Sequence, residues 1–154
     1  MRSGFTLIEL VITVAIIAVL AAIAAPLAET VVRRSKEQEL KAAVMEIRTA
    51  IDAYKDASDS ARIGRAAGES GYPPSLDVLV TGVEDRTSPG RARIYFLRRL
   101  PRDPFAEEST PASQTWGLRS SDSPPDDPRE GNDVFDVRSL SGEKALNGSL
   151  YGSW

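Results

Sequence analysis

The chain has 154 residues, a net charge of −3, and neither histidine nor cysteine. That length suits one modest domain, and the charge offers no basic field for nucleic acid. The missing histidine removes the usual neutral-pH general base and the commonest zinc ligand; the missing cysteine removes thiol nucleophiles and disulfides. Apolar residues crowd the first thirty positions, and the remainder is polar and punctuated by most of the 10 prolines and 11 glycines. The skew predicts an apolar N-terminal element followed by a small soluble domain.

Phe5 to Ala25 reads FTLIELVITVAIIAVLAAIAA, with Glu9 as its one ionisable side chain. At about 1.5 Å per residue this run is roughly 30 Å long as a helix, which matches a bilayer core. A cleaved secretory signal is the alternative, but its apolar region is usually about 7–15 residues and ends at a small-residue site. Here the run is longer and its basic leader is only Met1-Arg2-Ser3-Gly4. A span kept in the mature protein is therefore expected. Arg2 precedes the span and Arg33, Arg34 and Lys36 follow it, so the positive-inside count leans towards a cytoplasmic C-terminus.

A charge inside hydrocarbon is costly and is usually paired or functional, although a Glu near a helix end also snorkels to the interface. Glu9 closes the run Gly4-Phe5-Thr6-Leu7-Ile8-Glu9. G-F-T-L-I-E resembles the prepilin peptidase site of type IV pilins and pseudopilins. The resemblance implies cleavage between Gly4 and Phe5 on the cytoplasmic side and methylation of the new Phe5 amine. It also implies a C-terminal domain in the periplasm, against the charge count. Residues 1–4 are then a leader peptide and residues 5–26 a transmembrane and polymerisation helix. The new amine lies about 6 Å from Glu9 along the axis, so the Glu9 of an axially shifted neighbour can receive it. Such pairing neutralises two costly charges and fixes register between subunits. Pro26 removes a helical hydrogen bond, predicting a kink or local melting at the membrane exit. The family tends to carry a proline at this place.

Beyond Pro26 the pattern turns amphipathic. Leu40, Val44, Ile47, Ile51 and Tyr54, with Ala43 and Ala50 beside them, form one helical stripe. Arg33, Lys36, Glu39, Glu46, Arg48, Asp52 and Lys55 occupy the other face. Residues 27–58 are expected to continue the helix, which ends near Asp56, Ser58, Asp59 and Ser60, all poor helix formers. Residues 59–154 form the globular domain, expected to build its core against the stripe. Within it, Pro74 to Leu79 suggests a short helix with Ser75 as N-cap. Ile94 to Leu100 is an apolar group closed by Pro101. Thr115–Ser120 and Asp133–Ser139 read as two antiparallel strands, and 107–113 and 121–132 as polar loops. The fold class is α+β, a long N-terminal helix packed on a small antiparallel sheet.

Tyr72-Pro73-Pro74-Ser75-Leu76, Leu100-Pro101-Arg102-Asp103-Pro104-Phe105, Trp116, and Phe135 to Ser139 resemble the G-type (major) pseudopilin domain of type II secretion systems. Phe105 stands where that family more often has tryptophan. The resemblance implies a subunit stored in the inner membrane that polymerises into a periplasm-spanning pseudopilus. Its implied partners are further copies, other pseudopilins, the prepilin peptidase, the inner-membrane secretion platform and lipid, with no nucleic acid. Many G-type pseudopilins bind calcium in the loop after the sheet. The corresponding ligands here are Ser139, Ser141, Glu143 and Asn147; only Glu143 is acidic. The acidic pair common before the family's C-terminal aromatic is replaced by Ser149, Leu150 and Tyr151. A polar turn under Tyr151 and Trp154 is the other reading of this segment, and no other cofactor is expected. A minor type IV pilin shares every N-terminal feature but commonly has a C-terminal cysteine pair. A membrane-anchored periplasmic enzyme is a remote alternative, resting on the carboxylates Asp133 and Asp136.

Overall fold

The computed structural model describes residues 6–154, without the side chains of Ile23 and Ala25. Helix α1 (Leu7–Asp59) runs for 53 residues and carries Pro26 inside it. Its first part belongs to a unit ending at Lys36, and its remainder to a unit of residues 37–154. In the first unit the apolar side chains face outward: Leu7 is 82% exposed, and Ile12, Ile17 and Val31 are all above half. Apolar surface on this scale needs lipid or protein to cover it.

In the second unit the predicted stripe is the core. Leu40, Val44, Ile47, Ile51 and Tyr54 are buried together with Ala43, Ala50 and Ala57. The residues that meet them come from short elements: Leu76 and Leu79, Leu97, Trp116, Val134 and Val137, and Tyr151. Each element is too short to hold itself together, so the helix face supplies the surface on which they fold. Past Asp59 the chain turns at Ala61, a non-glycine residue in the left-handed region (φ 56), and the Arg62 N–H returns to the Ala57 carbonyl at 2.9 Å. Lys55 bonds Asp59 across the last turn.

Helix α2 (Asp77–Thr81) starts later than the sequence suggests. Its N-cap is Leu76, which is helical in backbone and makes no side-chain cap bond, so Ser75 is not the cap. Leu76 is buried, and anchoring that side chain fixes the start of the turn where a hydroxyl cap would otherwise decide it. Gly82 ends the helix at φ 71, and a Cβ there would lie 2.6 Å from the Ile94 carbonyl. A glycine is therefore required for this close approach.

Strands β1 (Val83–Glu84) and β2 (Arg93–Ile94) form a two-residue antiparallel ladder. Only Ile94 of the Ile94–Leu100 group is in a strand; Phe96 and Leu97 instead donate their N–H groups to the Leu79 carbonyl. Strands β3 (Trp116–Arg119) and β4 (Asp136–Ser139) pair antiparallel, with Trp116 opposite Ser139 and Arg119 opposite Asp136. They are shorter than the expected Thr115–Ser120 and Asp133–Ser139. Thr115 closes a 3-10 turn, Ser120 N–H goes to the Arg129 carbonyl, and Val134 N–H goes to the Pro73 carbonyl. The class is α+β, with one long helix and two small antiparallel sheets.

Candidate functional site

Gly4 and Phe5, the predicted cleavage and methylation positions, lie outside the described residues. Glu9 does not. Its carboxylate accepts from both the N–H and the hydroxyl of Thr6, each at 2.8 Å, while Glu9 N–H donates to the Thr6 hydroxyl at 3.3 Å. Thr6 also accepts the first helical bond, from Leu10 N–H. This is a capping box: Thr6 is the N-cap and Glu9 the third helical residue, each satisfying a donor of the other. T-x-x-E was legible in the sequence, but the intermolecular role given to Glu9 hid its local one. Within a single chain the Glu9 carboxylate therefore already has partners in the N–H and hydroxyl of Thr6.

The helix after Glu9 is the one helix among the described residues long and apolar enough to cross a membrane, by length and composition. Its hydroxyls turn inward onto backbone, Thr13 to the Leu10 carbonyl and Thr30 to the Pro26 carbonyl. Helix α1 is assigned continuously through Pro26. Proline has no N–H, so the ladder lacks the bond that residue 26 would otherwise return to Ala22.

In the second unit the segment Pro101–Phe105 is a hub. Trp116 Nε1 donates to the Pro101 carbonyl at 2.9 Å. The buried Asp103 carboxylate accepts from Phe105 N–H at 2.8 Å and from the Ser139 hydroxyl at 2.5 Å. Phe105 stacks on Tyr151 at 4.1 Å between ring centroids, so phenylalanine fills this place with its face where tryptophan is commoner. Tyr151 in turn donates its hydroxyl to Glu37 at 3.0 Å, and Leu146 N–H joins the same oxygen at 2.7 Å.

The proposed calcium ligands belong to this framework. The Ser139 hydroxyl is given to Asp103 and receives Ser141 N–H; the Ser141 hydroxyl receives Glu143 N–H; Asn147 Oδ1 receives both the N–H and hydroxyl of Ser149. Calcium takes about six to eight oxygens, usually from several carboxylates. Among the described residues no group of three or more acidic side chains is placed to hold a metal. With one carboxylate and oxygens already used in turns, the set does not fit the ion.

Asp133 and Asp136 are held by separate partners. Asp133 is buried and accepts from Ser120 and Ser121. Burial pushes its pKa up, but the bonds from Ser121, Ser70 and Ser120 outweigh that and hold it below the usual carboxylate value. Asp136 faces Arg48 at 2.7 Å.

The long apolar helix, the small antiparallel sheets and the N-terminal motif are together similar to those of type IV pilin-like proteins. The family model described as the prokaryotic N-terminal methylation motif matches residues 1–25. The chain is similar to the type II secretion system core protein G of Dickeya chrysanthemi, 28% identical over 70% of this chain and 65% of that protein. It is also similar to fimbrial protein Q of Moraxella bovis, 36% identical over 45% of this chain and 44% of that protein. The chain thus spans less than two thirds of the length of either relative. No solved structure matches. The apolar helix and the methylation motif together point to membrane anchoring.

Proposed function

We propose that the chain is a structural subunit of a pseudopilus acting in type II protein secretion. The observation that carries this reading is the breadth of the likeness to the secretion protein, 70% of the chain against 45% for the fimbrial one. The subunit is stored in the inner membrane with its C-terminal domain in the periplasm. A prepilin peptidase cuts between Gly4 and Phe5 and methylates Phe5. The subunit then joins further copies and other pseudopilins on the inner-membrane secretion platform. Glu9 acts here by accepting the Phe5 amine of a neighbour. Pairing the two charges offsets a cost that each carries alone in lipid. The higher local identity to the fimbrial protein favours a second reading, a minor type IV pilin.

Two measurements test the proposal. Intact-mass analysis from a host with the peptidase should give a chain starting at Phe5, and Gly4→Val should leave only precursor, because a branched side chain crowds the cut. Export of a reporter substrate in a strain carrying this copy alone separates the two readings. Export lost on deletion supports the pseudopilus; intact export with lost surface filaments supports the pilus.

A further inference from the structure

Antiparallel register puts alternate residues of a strand pair on one face. Gly117 and Arg119 of β3 therefore share a face with Asp136 and Arg138 of β4, opposite the face that carries Trp116 and Val137 into the core. A cavity of about 270 Å³ lies here, lined by Arg48, Arg119, Asp136, Arg138, Pro125 and Trp154 among others. It brings three guanidinium groups around the Asp136 carboxylate and the main-chain oxygen of Trp154.

The three arginines differ in how they are used. Arg48 donates from Nε to Asp136 at 2.7 Å and from Nη1 to the Trp154 carbonyl at 2.8 Å. Arg119 donates to the Ser123 carbonyl and sits 5.0 Å from the centre of the Phe135 ring, and neither contact gives its charge a counter-ion among the described residues. Arg138 is different again. Its stem crosses Gly117, where a Cβ would lie 3.1 Å from the Arg138 Cγ and 3.3 Å from Nε. That Nε is buried and is the one buried side-chain nitrogen or oxygen among the described residues without a hydrogen-bond partner. A buried donor without a partner is costly, and the guanidinium it belongs to lines the cavity, where the group that meets it must be an acceptor because a guanidinium only donates.

We propose that this cleft receives a carboxylate side chain from a second copy of the chain. A carboxylate fits the arginine fork in two-point fashion, as Asp136 already does on Arg48. The resident Asp136 disfavours a more highly charged anion, and the Trp154 and proline walls suit the carbon stem of a side chain. A second copy is the occupant because the chain is net acidic and displays many exposed carboxylates, while this cleft concentrates positive charge. A polymer made by translation and rotation joins two different patches of the same protein, so the donor need not lie on this face. The inference rests on the filament reading above.

The test places a photo-crosslinking amino acid at Leu140, which is exposed and packs over Gly117 beside Arg138, in the full chain in membranes. A product of twice the chain mass is expected. Arg138→Met should lower its yield on the order of tenfold, and Arg138→Lys should keep part of it. In micelles the thermal midpoint of Arg138→Met should stay unchanged or rise, because an unsatisfied buried group has gone. Yield indifferent to Arg138→Met overturns the inference, and so does a midpoint that falls with the yield, which marks a structural arginine. So does a midpoint of the wild type raised by millimolar acetate or phosphate with no crosslink between copies, which marks a site for free anions. Glu9→Val in parallel separates the two ideas. If it abolishes filaments while wild type gives no Leu140 crosslink, the filament reading stands and the cleft falls.

Discussion

Between Thr6 and Lys36, the hydroxyls of Thr6, Thr13 and Thr30 close onto partners three or four positions away, and the apolar side chains face outward. From Glu37 onward the pattern inverts. Asp103, Arg48 and Glu37 reach partners 36 to 114 positions distant, and the apolar stripe from Leu40 to Tyr54 is buried. The first region is finished as a helix but not as a surface; what covers it comes from outside the chain. The second ties its buried polar groups, such as Asp103, Ser139 and Asp133, into its own fold. Substitutions should therefore act on assembly in one region and on folding in the other.

The largest effect is predicted at Glu9. Glu9→Val should insert and be cleaved normally yet fail to enter filaments, measured by shearing from cells carrying this copy alone. The capping box sharpens this test, because glutamine at the same helical position preserves the bond to Thr6 without the charge. If Glu9→Gln assembles like wild type, helix capping and not charge pairing is what assembly needs. Core truncation is the next largest. Ile47→Ala should cost about 2–5 kcal/mol in denaturant titrations of the micelle-bound chain, against less than about 0.5 kcal/mol for Ile12→Ala. Equal costs would erase the contrast between the regions.

A smaller effect is expected with pH. Hydrogen bonds from the Thr87 hydroxyl, from Arg62 and from Thr87 N–H hold Asp85 at a pKa of about 2. A carboxylate depressed on folding stabilises above its unfolded pKa of about 3.9, and the contribution is lost as pH falls through the folded value. The thermal midpoint should drop between about pH 4 and 2, and less so in Asp85→Asn; identical profiles would remove Asp85 as a cause. The smallest effect is calcium. Millimolar calcium added to chelated protein should leave the midpoint where it was, since any ligand preferring the folded state raises it.

The sequence was most legible where its information is local. The stripe from Leu40 to Tyr54 was read from its period and is buried residue for residue, and the helix stops among the weak formers at Asp59. Strands β3 and β4 were located but overextended, because Thr115 and Val134 spend their backbone N–H groups elsewhere. The hairpin of β1 and β2 was not seen at all, since two residues have no periodicity to read. At the candidate site, Glu9 was legible as an exception within an apolar run. Its bond to Thr6 was not read, because the intermolecular role given to Glu9 hid the T-x-x-E pattern. The cleft around Arg138 was not, because it depends on a register between strands and on Arg48 reaching a residue 88 positions away.

Asp133 has one more consequence. By gripping Ser120 and Ser121 it ties together the two ends of the stretch between them, at 2.6 to 2.9 Å. A loop sealed at its neck is decoupled from the ladder that follows it. Lengthening such a loop costs little, since closure entropy grows only with the logarithm of length. Across related chains, insertions and deletions should collect between residues 122 and 130, while serine and aspartate at the neck change together or not at all. A protease cut at the exposed Asp126 should likewise leave two fragments that travel as one.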